Sequence, residues 1–289
     1  MENDRGTAMT SLAELASFRV QPGGESTRGS RLRGRQKRLD HLLSRLNTEG
    51  AVNVMEIAQE LQVSAASIRR DLGLLEGQRL LVRTHGGAVA QGVSYELPLR
   101  YRAGRHEQEK REIAAEAALR VPTQRATVGL TGGTTTTEVA RRLLDHPELT
   151  VVTNALNIAS ELVVRPHIRL VVTGGVARTQ SYELCGSIAE AALAGLNLDV
   201  AFIGVDGISA RAGLTTHQEV EAHTNQVMLS RAQRVIVVAD STKLGQVAFA
   251  RICGISDIDE VITDRDADPS EVAALEEAGV HVTVTERRD

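Results

Sequence analysis

The second half of the chain is the part that most narrows its fold. Short apolar, β-branched runs recur at Thr127–Leu130, Thr150–Thr153, Ile168–Thr173, Val200–Val205, Val235–Ala239, Glu260–Thr263 and Val280–Val284. Helix-length stretches lie between them at Thr135–Leu144, Ala155–Val164, Ser187–Leu196, Gln218–Ala232 and Pro269–Ala278, and another, from Glu107 to about Arg120, precedes the first run. Strands that are apolar on both faces must be covered on both faces. Strands separated by helices are joined by crossovers, which favours parallel pairing. Residues 107–289 are therefore expected to form an α/β domain, a mostly parallel sheet with helices on both sides.

The front of the chain has a different period. Leu39, Leu42, Leu43 and Leu46 form one helical stripe, closed by Gly50 as a left-handed C-cap. Asn53 can cap a second helix carrying Val54, Ile57, Ala58 and Leu61, and Ser64 a third carrying Ile68, Leu72 and Leu75. Glu76-Gly77-Gln78 stops that helix. Leu80–Thr84 reads as a strand, His85-Gly86-Gly87 as a turn, and Ala88–Gln91 as a returning strand. Three short helices followed by a hairpin make residues 35–91 a small winged helix-turn-helix domain. Residues 1–34 lack sustained periodicity and read as a mostly disordered basic leader, and residues 92–106 as a linker.

Charge separates along the same boundaries. Residues 28–111 hold 16 Lys/Arg against 9 Asp/Glu, whereas residues 112–289 carry a net −9. A basic front on an acidic body suits a polyanionic partner; a solvated helical face is the alternative for any single charge. With 3 Phe, 3 Tyr and no Trp, the chain lacks the rings on which single-stranded bases stack, which points to duplex instead. Cys185 and Cys253 fit neither a metal-ligand spacing nor a disulfide framework, and a reducing cytosol suits them. No apolar stretch is long enough to span a bilayer, so no membrane partner is expected.

In the third helix, small residues at Ala65 and Ala66 let the backbone enter a major groove. Ser64 and Ser67 can bond phosphates or base edges, and Arg69 and Arg70 can neutralise phosphate or fork onto guanine. Asp71 is expected to orient a neighbouring arginine or to cap locally. In the wing, Arg83 and His85 flank Gly86-Gly87, a turn that can lie close to the DNA backbone. These residues, with Leu75-Glu76 and Arg83-Thr84-His85-Gly86-Gly87-Ala88, resemble the DeoR family of bacterial sugar-metabolism regulators. The family has Thr where Ser67 stands, so the hydroxyl is kept and the methyl lost.

The α/β half carries Val128-Gly129-Leu130-Thr131-Gly132-Gly133-Thr134-Thr135-Thr136-Thr137-Glu138 between a strand and a helix. Glycines bare the backbone N–H groups and the helix start adds a positive dipole, so Gly132, Gly133, Thr134, Thr135 and Thr136 can form an anion nest. No Gly-Lys-Ser/Thr follows, nor a third glycine at dinucleotide spacing, and no cofactor is expected; a phosphate monoester fits better. A merely tight strand–helix turn is the alternative. This loop, Val152-Thr153-Asn154, Thr173-Gly174-Gly175, Phe202–Gly207, Gly213–Thr216 and Ala239–Lys243 resemble the DeoR sensor domain, itself similar to ribose-5-phosphate isomerase. The resemblance implies that Lys243 grips the phosphate and that Asp206 meets the sugar hydroxyls. A surface lysine and a turn-capping carboxylate are the plainer readings.

The isomerase pattern Asp-Gly-Ala-Asp-Glu stands here as Asp206-Gly207-Ile208-Ser209-Ala210, with two carboxylates gone. Glu219 and Glu221 could substitute or could equally face solvent, and His217 and His223 suggest no metal site. The expectation is a DNA-binding repressor of a carbohydrate operon, a homo-oligomer on a double-stranded operator, released by a phosphorylated sugar. An activator of the same class and a working isomerase fused to a DNA-binding module are the competing readings.

Overall fold

The computed structural model describes residues 25–78, 80–89 and 98–286. The head comprises α1 (Glu25–Glu49), β1 (Ala51–Asn53), α2 (Val54–Glu60), α3 (Ala65–Gly77), β2 (Val82–Arg83) and β3 (Gly87–Val89). Every stripe residue named above except the half-buried Leu61 is buried, and all pack into one cluster with Val52, Leu80, Leu81 and Ala88. Burying each Leu or Ile contributes about 1.5–3 kcal/mol. The caps act locally as expected. Asn53 Oδ1 accepts the Met55 N–H at 2.8 Å, and Ser64 Oγ accepts that of Ser67 at 3.2 Å.

Three features of the head depart from expectation. Part of the leader is helical, because α1 begins at Glu25; residues 1–24 lie outside the described set. The hairpin gains a third strand, giving the antiparallel order β1-β3-β2. Gly87 is a buried strand residue there, paired with Asn53, and a Cβ on it would stand 1.8 Å from the Val52 carbonyl oxygen. The absence of its side chain thus serves the β1–β3 approach. The returning strand covers Gly87–Val89, and Ala90 and Gln91 fall outside the described residues.

Beyond the head come α4 (Leu99–Arg102), α5 (Glu107–Ala118), β4 (Ala126–Leu130), α6 (Thr134–Arg142), β5 (Leu149–Thr153), α7 (Leu156–Leu162) and β6 (Arg169–Val172). Next are β7 (Val176–Ala177), β8 (Leu184–Cys185), α8 (Ser187–Ala194), β9 (Leu198–Ile203), β10 (Gly207–Ser209), β11 (Gly213–Thr216) and α9 (Glu219–Ser230). The chain continues with β12 (Ala232–Val238), β13 (Ala250–Cys253), β14 (Glu260–Thr263), α10 (Pro269–Glu277) and β15 (His281–Val284).

All seven apolar runs enter one sheet of order β15-β14-β12-β9-β4-β5-β6, and every pairing in it is parallel. Period-2 alternation divides the core. Val128, Leu130, Val200, Phe202, Ile236 and Val238 face α5, α6 and α7, whereas Ala201, Ile203, Val235 and Val237 face α8, α9 and α10. The chain winds from β4 outward to β6, then returns to β9 beside β4 and winds the other way. A crevice therefore opens beyond the carboxyl ends of β4 and β9, the switch point where open α/β sheets receive ligands. A small antiparallel sheet, β10-β11-β13, and the β7–β8 hairpin flank it.

The segment expected to be a linker joins both bodies. Tyr101 is 3% exposed and completes the head's core, while the Leu99 N–H donates to the Gln180 carbonyl at 2.7 Å.

Candidate DNA-reading face and effector site

On α3, Ser64, Ala66, Arg69 and Arg70 are exposed and Ala65 and Ser67 half-exposed, while Ile68, Leu72 and Leu75 hold the opposite face in the core. Arg70 reaches back along its own helix, Nε to the Ala66 carbonyl at 3.3 Å and Nη2 to Ser67 Oγ at 3.5 Å. It is tethered locally but free to reach outward. Arg83 Nη1 donates to the Arg69 carbonyl at 3.3 Å, binding the wing to α3, and His85 and Gly86 are exposed at the wing tip. Asp71 is 1% exposed and accepts from Arg35 Nε at 3.1 Å and Arg38 Nε at 2.9 Å. The arginines it orients thus belong to α1, and its carboxylate ties α1 to α3.

At the switch point, Gly133 precedes α6 at φ +142° and no side chain caps that helix. The N–H groups of its first turn, Thr134, Thr135 and Thr136, have no acceptor within the helix and lie where the dipole is positive. Thr136 and Thr137 hydroxyls donate instead to the Gly133 carbonyl, at 3.1 and 2.5 Å, and so shape the loop. Thr131 Oγ1 accepts the Gly204 N–H at 2.9 Å, joining this loop to the one after β9. A Cβ on Gly132 would stand 2.3 Å from Glu183 Cγ, so the buried Glu183 lies directly against the loop.

Asp206 follows β9 into the same crevice. Its Oδ1 accepts from Arg102 Nη1 at 2.9 Å, and its Oδ2 from Thr216 Oγ1 at 3.0 Å and the His217 N–H at 3.4 Å. Burial pushes the Asp206 carboxyl up, but Arg102, His217 and Lys243 outweigh it and hold the group below the usual carboxylate value. Lys243, half-buried in a 3-10 turn after β12, acts on both Asp206 and Lys110. Lys110 is 4% exposed; burial pulls its ammonium down to about 8, against the pull of Asp240 at 3.9 Å.

Two further carboxyls that the motif reading undervalued line the crevice. Glu221 is buried, not solvated, and bonds Arg178 and Thr216. Glu183 accepts from Asn154 Nδ2 at 3.2 Å, and burial together with Glu221 pushes it up to about 8. The pocket is therefore not stripped of carboxylates as the Asp206–Ala210 motif suggests; they come from other elements. Glu183, Cys185 and Glu221 bring ligand-type atoms within 4.8 Å of one another, with the Arg178 guanidinium already on Glu221. Arg102 and Lys110 also went unnoticed in sequence, because no motif marks them and the Arg102–Asp206 bond spans 104 residues.

A winged helix-turn-helix joined to an α/β domain with an anion-ready crevice defines a DNA-binding transcription regulator with its own sensor. Residues 38–92 match the DeoR-like helix-turn-helix domain, and residues 105–265 the DeoR C terminal sensor domain. The chain belongs to the DeoR family. It is 34% identical over 255 residues to a protein of Escherichia coli O157:H7 assigned as the aga operon transcriptional repressor, covering 87% of this chain and 94% of that one. It is 31% identical to the glycerol-3-phosphate regulon repressor of Escherichia coli K12, covering 79% and 90%. Among solved structures, ribose 5-phosphate isomerase A from Methanocaldococcus jannaschii is similar at 18% identity and a TM-score of 0.35, over 48% of this chain and 54% of that one. At that score nothing about this chain's chemistry follows from it. No helix among the described residues is long and apolar enough to cross a membrane.

Proposed function

We propose that this regulator is a repressor of a carbohydrate-linked operon, released from its operator when a phosphorylated sugar or polyol occupies the crevice between β4 and β9. The observation that carries the effector half is the uncapped start of α6, with Gly132–Thr136 at the switch point and Lys243 acting on Asp206 after β9. Phosphate takes the loop N–H groups and Lys243, and Asp206 takes sugar hydroxyls. The repressor half draws on the relatives, whose names are those of repressors and one of which concerns a phosphorylated polyol. On the head, Ser64–Ser67, Arg69 and Arg70 enter the major groove, while Arg83, His85 and Gly86 approach the backbone. Gly87 acts through the wing's geometry. Two heads of a homo-oligomer span paired half-sites.

Binding is favoured over turnover by the state of the carboxyls. Every oxygen of Asp206 is engaged and its carboxyl is held low, which makes it a weak base; burial and the neighbouring Glu221 push Glu183 toward its protonated form. The opposite displacement of two neighbouring carboxyls is nonetheless the pattern of acid–base pairs, and it supports the isomerase as second reading. Fluorescence anisotropy with a duplex from the chain's own promoter region tests the first. Binding at low salt and release by a sugar phosphate are expected, and a protein that ignores that duplex refutes it. Conversion of ribose 5-phosphate to ribulose 5-phosphate by purified protein establishes the second.

A further inference from the structure

A short bonded path runs between the crevice and α3 among the described residues. Arg102 Nη1 donates to Asp206 Oδ1 at 2.9 Å, with both side chains largely buried. One residue back in the same turn of helix, the Tyr101 hydroxyl donates to Gln78 Oε1 at 2.6 Å and its ring fills the head's core. Arg100 Nη2 donates to the same oxygen at 3.0 Å and lies 4.9 Å over the Tyr101 ring. Gln78 is the C-cap of α3, the helix carrying Arg69 and Arg70. The far end of α4 is held by Lys110, whose Nζ donates to the carbonyls of Arg102 at 3.1 Å and Arg105 at 2.5 Å. A single turn of helix thus touches an effector-site carboxylate on one side and the end of the recognition helix on the other.

We propose that Arg102 couples the two sites: its ion pair with Asp206 and the capture of a sugar hydroxyl by that carboxylate exclude one another, so that effector shifts α4 and, through Tyr101 and Gln78, the end of α3. The inference deepens the sugar-phosphate reading and rests on it for the identity of the competitor. Arg102 is a positioning residue here: it reads the state of Asp206 and need not touch DNA or phosphate. Because coupling is reciprocal, loosening this pair weakens the grip on DNA and strengthens the grip on effector.

The test compares full-length wild type with Arg102→Ala, Asp206→Asn and the double variant, by operator anisotropy without any small molecule. Each single change is expected to weaken operator binding roughly 10-fold, within the usual span of allosteric coupling, and the double change no further. Arg102→Lys keeps the charge without the fork and should recover part of the loss. Tyr101→Phe keeps the ring in the core, deletes only the hydroxyl, and should show the same loss with an almost unchanged melting temperature. Operator binding by Arg102→Ala equal to wild type, or additive losses in the double variant, overturns the coupling.

Titration with glycerol 3-phosphate, ribose 5-phosphate and glucose 6-phosphate then separates the two ideas. Any of these that releases wild type should bind Arg102→Ala several-fold more tightly; equal affinity overturns the mutual exclusion. If none releases wild type while the variants behave as above, the coupling stands and the sugar-phosphate assignment falls.

Discussion

Among the described residues Arg70 makes its hydrogen bonds within α3, so its guanidinium is available to a partner at little structural cost. Arg70→Ala should lower operator affinity by about 1–3 kcal/mol, or roughly 5–150-fold, and leave thermal stability within about 0.5 kcal/mol. Electrophoretic shifts and thermal melts check both halves. Lys243 sits on the other body and should dissociate the two activities differently. Lys243→Ala is expected to bind operator normally and to stay bound when a sugar phosphate that releases wild type is added. Gly132 is constrained more tightly than either, since Glu183 occupies the space a methyl group would need. Gly132→Ala should cost about 1–3 kcal/mol of stability by overpacking, read as a lower melting temperature, and should abolish stabilisation by the same ligand.

Elements differ in how openly sequence announces them. The seven strands of the main sheet were legible because short apolar, β-branched runs, repeated between helices, have few other homes. The helices of the head were legible because Asn53 and Ser64 mark starts that the stripes then confirm. Strands β1 and β10 have three residues and β7 has two; such pieces carry no period, and their existence depends on partners distant in sequence. The same holds for the crevice. The Gly-Thr loop, Asp206 and Lys243 sit in continuous motifs. Arg102, Lys110 and Glu183 matter through contacts that only the assembled topology creates, and Glu221 looked like one more carboxylate on a helix. Asp71 belongs to this scale too, because it joins α1 to α3. Asp71→Ala leaves two arginines that can still reach water, so a loss of about 1–3 kcal/mol is expected, read from the denaturation midpoint of the head.

At the scale of the molecule, the displaced protons of the crevice make stability depend on pH. Glu183 holds its proton up to about 8, whereas in the unfolded chain it releases it near 4.5. Between those values the folded state binds the extra proton, so stability declines as pH rises from about 4.5 to 8, by at most about 1.4 kcal/mol per unit. Lys110 acts oppositely at higher pH. Its folded value near 8 lies below the ordinary 10.5, so folding sheds a proton and stability recovers with pH in that interval. A pH series of melting temperatures should show the decline, and Glu183→Gln should flatten it.

The placement of Tyr101 bears on how such a protein can be taken apart or recombined. A fragment ending at residue 91 would keep all three helices and the wing yet lack the aromatic plug that closes them, and would be expected to melt early and read DNA poorly. A reader transplanted onto a foreign sensor must bring its own tyrosine along, and with it the arginine next door. Head and sensor are thereby obliged to change together, and swapping modules without their shared turn should produce regulators that bind but no longer listen.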